Sequence, residues 1–112
     1  MRVLHLAPRL SDRGGADWHL VGLLRARAQS GAEDHLAVGF DDGSAQVPTP
    51  TEVVTGLEAR EARPIALDAL LDRHAPDLLH LHNVVNPLAL ERAAARGALL
   101  TIQDHRFFCP GR

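Results

Sequence analysis

Apolar and polar positions along the chain fall into blocks of two periods. Val3 to Ala7 is a short apolar run, broken only by His5 and closed by Pro8, and predicts a strand buried on both faces. The loop SDRGG follows. From Ala16 to Gln29 the apolar residues Leu20, Val21, Leu24 and Ala28 recur at helical spacing, and Gly31 supplies the left-handed stop that helix ends favour. His35 to Phe40 reads as a second strand, ended by the turn cluster Asp41, Asp42 and Gly43. Ser44 to Thr51, with Pro48 and Pro50, reads as a loop, and Glu52 to Thr55 as a short edge strand.

Pro64 is placed as a first-turn proline, with Leu67, Leu70, Leu71 and His74 marking one face of a second helix that Pro76 stops. Asp77 to His82 is the next strand. Asn86 and Pro87 form an N-cap and first-turn pair opening a third helix, which turns Leu90, Ala93 and Ala94 inward before Gly97 ends it. Ala98 to Ile102 is the last strand. Such alternation predicts an α/β fold: a Rossmann-like parallel sheet of four or five strands in spatial order 3-2-1-4-5, with helices on both faces.

Composition narrows the chemistry. The 112 residues are room for one domain, burying roughly 65% of the unfolded chain's surface on folding. All 12 basic residues are arginine, and lysine and tyrosine are absent. No P-loop lysine, Schiff-base lysine or Tyr/Lys dehydrogenase couple is therefore available. A net charge of -2, with arginines interspersed among carboxylates, argues against a nucleic-acid partner. The lone cysteine, Cys109, has no intramolecular disulfide partner. The amino-terminal apolar run is too short for a signal sequence, and no segment approaches a membrane span, so the expected compartment is the cytoplasm.

In open parallel sheets ligands bind beyond the carboxyl ends of the strands, near the point where strand order reverses. That rule selects the loops Pro8–Gly15, His82–Asn86 and Gln103–Arg112. Gly14 and Gly15 stand before a helix N-terminus, where free N–H groups favour an anion and the missing Cβ atoms let backbone approach it. The loop lacks the first glycine of the dinucleotide fingerprint. His80 and His82 share a strand face, with His80 read as the deeper, structural histidine. Together with His105 and Cys109 they match no compact zinc spacing, and no metal is expected. Asp104 and His105 have the chemistry of an acid, a base or a hydroxyl-orienting pair. Cys109 and Arg112 lack phosphatase spacing. Trp18 and the Phe107/Phe108 pair read as packing groups, and spacing suggests no partner for His5, His19, His35 or His74.

Three segments carry a resemblance. MRVLHLAPRLSDRGGADWHLVGLLRARAQSGAE resembles the opening of family 4 glycosyltransferases of the GT-B fold, with their GGAE-like turn and long first helix. PDLLHLHNVVNPLAL is similar to their D-hydrophobic-hydrophobic-H-x-H-N segment, and LLTIQDHRFFCPGR to their T-hydrophobic-H-D-Y…C-P segment. The resemblance implies a retaining, usually metal-independent transfer of a sugar from a nucleotide-sugar donor to a glycan or lipid-linked acceptor, with peripheral membrane contact in a full-length enzyme. It needs no cofactor beyond that donor.

By the same resemblance Gly14 and Gly15 would face the donor diphosphate, and His82 and Asn83 would line the cleft, with His82, Asp104 and His105 as the catalytic candidates. Asp104 would orient substrate hydroxyls. Gln103 stands where the family has the histidine of its H-D pair, which leaves neighbouring His105 as its substitute. With no lysine, Arg13 and Arg106 are the cleft's cations. The family's second, donor-binding domain has no counterpart in these 112 residues, so the expectation is a partial amino-terminal domain that is inactive alone. The alternatives are a non-enzymatic, flavodoxin-like module for a phosphorylated ligand and, less well matched, a nucleotide-dependent oxidoreductase. The latter lacks both the third glycine and an acidic residue on the second strand before Asp41.

Overall fold

A computed structural model describes residues 1–101. The elements in chain order are β1 (Val3–Leu10), α1 (Gly15–Gln29), β2 (His35–Asp41), β3 (Thr51–Val53), α2 (Leu67–His74), β4 (Leu78–His82), α3 (Pro87–Ala95) and β5 (Leu99–Thr101). The five strands form one sheet in the order β3-β2-β1-β4-β5, and every pairing is parallel. This is the α/β, Rossmann-like arrangement that the alternation of the sequence implies. No described helix is long and apolar enough to cross a membrane.

Two apolar cores lie on opposite faces. On one, Leu4 and Leu6 of β1 and Leu79 and Leu81 of β4 pack with Leu67, Leu70 and Leu71 of α2 and Ala89 and Ala93 of α3. On the other, Ala7 of β1 and Leu36 and Val38 of β2 pack with Leu20, Val21 and Leu24 of α1. Alternation of side chains along a strand makes this division automatic once register is set, and the register Leu6↔Leu81 and Ala7↔Val38 sets it. Gly39 of β2 marks a close approach: a Cβ there would lie 2.4 Å from the backbone nitrogen of Glu58. Only glycine lets the 54–59 segment close over β2 at that point.

Local differences from the sequence reading have identifiable causes. β1 runs through Pro8 to Leu10, because its pairing with β4 ends at Leu6↔Leu81 and leaves one side of β1 an edge, where a strand accepts proline. α2 begins at Leu67 rather than near Pro64. The Asn86 side chain takes the Arg63 N–H at 3.1 Å and donates to the Arg63 carbonyl at 2.7 Å, which ties this stretch to the start of α3 instead of to a first helical turn. β3 is Thr51–Val53, starting one residue before and ending two before the expected edge strand, and Ala28 and Ala94 face solvent. Trp18, read as a packing group, is 56% exposed.

Candidate functional site

The carboxyl ends of β1 and β4 lie side by side where strand order reverses, and the loops that leave them form the candidate cleft. On the β1 side, Gly14 is the N-cap of α1 in extended conformation, with no side chain capping the helix. The unclaimed N–H groups of this first turn are therefore open to a ligand. A Cβ on Gly15 would meet nothing within 4 Å, so the turn is uncrowded.

The loop before these glycines is pinned rather than loose. Ser11 Oγ donates to Asp42 Oδ2 at 2.7 Å and accepts the Arg13 N–H at 3.2 Å, while Ser44 Oγ accepts the Asp12 N–H at 3.0 Å. Hydrogen bonds from Ser44 and Ser11 hold the Asp42 carboxyl down at about 2, so it is ionised at any working pH. Its charge lies 3.6 Å from the Arg13 guanidinium, whose side chain stays largely exposed at the mouth of the cleft. The Asp17 carboxylate also stands near Gly14, and Arg9 clamps it with a 2.7 Å contact from Nη2. That pairing offsets a negative charge that would otherwise repel an anion.

On the β4 side, Asn83 adopts a left-handed conformation with φ 58° and donates its N–H to the Thr101 carbonyl of β5 at 3.0 Å. It is buried, and its turn leaves the carboxyl end of β4, the strand beside β1. His82 is also buried, at 3% exposure, with its ring turned onto the α1 face of the sheet against His5 and His80. The structure thus brings Arg13, Gly14, Gly15 and Asn83 to the carboxyl edge of the sheet, and buries the ring of His82, the last residue of β4, against His5 and His80. Gln103, Asp104, His105, Arg106, Cys109 and the Phe107/Phe108 pair lie outside the described residues.

Sequence spacing gave His5 no partner, and the structure gives it two. Its Nδ1 lies 2.9 Å from His82 Nε2, and its Nε2 lies 2.7 Å from Asp34 Oδ2. Asp34 also accepts two hydrogen bonds from Arg27, from Nε and, at 2.9 Å, from Nη2. His80 Nε2 contacts Thr101 Oγ1 at 2.6 Å. A line of polar groups therefore runs Arg27–Asp34–His5–His82 through the α1 side of the sheet. The available signal was register: β1 beside β4 with matched alternation puts His5 next to His80, as the observed pair His5↔His80 does.

Burial dominates the electrostatics here. It pushes His82 down to about 2, helped by the neighbouring His80 and His5, and His80 down to about 4. It also lowers His5, outweighing the opposite pull of Asp34. Burial works to raise the Asp34 carboxyl and is overcome by the hydrogen bonds from Arg27 and His5, which hold it below its usual range. At neutral pH the cluster is three uncharged imidazoles and one carboxylate paired with arginine. A groove of about 290 Å³, lined by Asp34 together with Ala28, Ala32, Pro48 and Pro50 among others, opens at the amino ends of β2 and β3, opposite the candidate cleft.

Comparison of the chain with protein-family models, with curated proteins and with solved structures finds no match.

Proposed function

We propose that this chain is the acceptor-side, amino-terminal portion of a family 4 glycosyltransferase of the GT-B fold, one wall of a cleft for a nucleotide-sugar donor. The observation that carries the reading is the convergence of the Arg13–Gly15 turn after β1 and the Asn83 turn after β4 on one edge, across the strand-order reversal. Gly14, Gly15 and Arg13 serve the diphosphate: free backbone N–H groups and one guanidinium supply donors that leave room for phosphate oxygens. Asn83 faces them from the other lip. His82 acts from beneath, its ring holding the end of β4 and hence the Asn83 turn in place. By the family resemblance, Asp104 and His105 would serve the sugar hydroxyls and Gln103 and Arg106 the donor; all four lie outside the described residues.

Transfer needs charge stabilisation on a departing diphosphate inside a closed, water-poor cleft. One wall provides binding without closure, so the chain alone is expected to bind donor and turn none over. Titration of UDP- and GDP-sugars against UMP and AMP, followed by fluorescence of Trp18, tests the binding. Trp18, the single tryptophan, is a suitable reporter because it lies one helical turn beyond Gly14, its backbone N–H bonded to the Gly14 carbonyl at 3.0 Å. The expected result is a Kd at least about tenfold lower for a nucleotide sugar than for the monophosphates, a difference of about 1.4 kcal/mol, abolished by Gly15→Val. Equal affinities that ignore Gly15→Val would overturn the reading. Tight binding of a simple phosphorylated ligand without preference for a sugar would favour the non-enzymatic, flavodoxin-like module instead.

A further inference from the structure

The α1 face carries a nitrogen-rich cluster of which the proposed donor cleft uses only His82, as a support beneath the Asn83 turn. His5, His80 and His82 each bring a ring nitrogen to within 4.8 Å of the other two. The hydrogen bonds dictate where the protons sit. Ionised Asp34 only accepts, so His5 carries its proton on Nε2 and presents a bare Nδ1. His82 Nε2, 2.9 Å from that lone pair, must donate to it, and a neutral ring protonated there has a bare Nδ1. That nitrogen is buried with no partner, the one buried side-chain polar atom in this state among the described residues. His80 holds Thr101 Oγ1 through Nε2, which leaves its Nδ1 for a further ligand.

We infer that His5, His80 and His82 form a binding site for a borderline-soft divalent transition-metal ion such as Zn²⁺, with a fourth position open to water. An all-imidazole donor set suits zinc, cobalt, nickel and copper, and lacks the carboxylate and carbonyl oxygens that calcium and magnesium require. Two of the rings already have the outer partners that metal-bound histidines use: Asp34 behind His5 and Thr101 behind His80. A tetrahedral ion about 2.0–2.1 Å from each nitrogen needs ligand atoms about 3.3 Å apart, so the rings close by at most about 1.5 Å from the present 4.8 Å. Each neutral ring keeps its proton and supplies one lone pair, that of His5 Nδ1 being released as its hydrogen bond from His82 Nε2–H breaks, so binding expels no net proton. His80, half-buried while His5 and His82 are buried, is the route of entry. Among the described residues, the α1-face core takes no apolar side chain from β4 or β5, so polar side chains occupy that part of the face.

This inference does not rest on the glycosyltransferase reading: nucleotide-sugar binding can fail while the metal site holds, and the reverse. The test is titration of the chelator-treated chain with Zn²⁺ in competition with a chromophoric chelator, and with Co²⁺ followed by visible absorption. The expected result is saturation at one ion per chain, an intense tetrahedral Co²⁺ band, and a Tm that rises with Zn²⁺ concentration. His80→Gln, at the half-buried position, is expected to keep the metal-free fold by circular dichroism and to weaken Zn²⁺ at least about tenfold. Asp34→Asn, which acts through His5, is expected to weaken it about 10- to 100-fold. His74→Ala, at a histidine paired with Glu52 away from the cluster, is expected to change nothing. Absence of saturable binding, a weak octahedral cobalt spectrum, or affinity equal in wild type and His80→Gln would each overturn the inference.

Discussion

The same strands present different chemistry to the two faces of the sheet. Toward α2 and α3, β1 and β4 offer Leu4, Leu6, Leu79 and Leu81. Toward α1 they offer His5, His80 and His82, with Asp34 and Arg27 closing the line. The leucine face is stabilised by burial, which has no direction and tolerates small shifts. The histidine face depends on every donor meeting an acceptor, and one acceptor, His82 Nδ1, goes without. The α1 face has its own apolar core over β1 and β2, so the contrast is local to β1 and β4: their leucines build a core on one side, and their histidines form a polar cluster suited to binding on the other.

The largest expected effect tests that division directly. Leu81→Ala removes a side chain 1% exposed in the apolar core and should cost about 3–4 kcal/mol, read from the urea midpoint at unchanged m. On the other face, Asp34→Ala leaves the His5 Nε2–H and the Arg27 guanidinium without their shared acceptor. A loss of about 2 kcal/mol is expected, smaller because Arg27 is partly exposed and rehydrates. A loss equal to or above that of Leu81→Ala would reverse the ranking of the faces.

A smaller effect distinguishes the faces by pH. His80 and His82 titrate near 6.5 when unfolded and near 4 and 2 when folded, so the unfolded chain binds more protons between those values. Their neutral forms cost the fold nothing above pH 6.5, and stability falls as pH drops from 6.5 toward 4. The slope is below about 1.4 kcal/mol per pH unit for each ring, and lower for half-exposed His80. Urea midpoints from pH 7.5 to 4.5 should show this slope unchanged in Leu81→Ala and flattened in His80→Gln. The least effect lies on neither face: Gly22→Ala, on the exposed side of α1 with nothing within 4 Å of the new Cβ, should raise stability by about 0.8 kcal/mol.

What was legible in the sequence was whatever local physics decides. Asn86 before Pro87 announced the start of α3, and its Oδ1 does accept the Leu88 N–H at 3.1 Å. Gly31 and Gly97 announced helix ends, and both have positive φ. The order 3-2-1-4-5 followed from alternation of strands and helices. Of the cleft, the placement of Arg13, Gly14, Gly15 and Asn83 at strand ends was equally readable, because the carboxyl-edge rule needs only element order. The His5 pairings were not. They depend on the register of two strands 75 residues apart, since a slip of one position would have turned His5 away from His80. The second role of Asn86, holding Gly56 and Arg63 together, was hidden for the same reason.

The central position of β1 has a consequence for synthesis. β1 leaves the ribosome before either of the strands it needs as neighbours: β2 on one side, and on the other β4, whose pairing with β1 runs from Leu78 to Leu81. At translation rates of about 5–20 residues per second, roughly 70 residues separate these partners by about 4–14 s. For that interval the backbone edge of Val3–Leu6, flanked by leucines, stays open to other nascent chains. The amount of chaperone needed for a good yield in the cell is thus written into strand order, and slowing elongation between codons 7 and 78 should lower that yield.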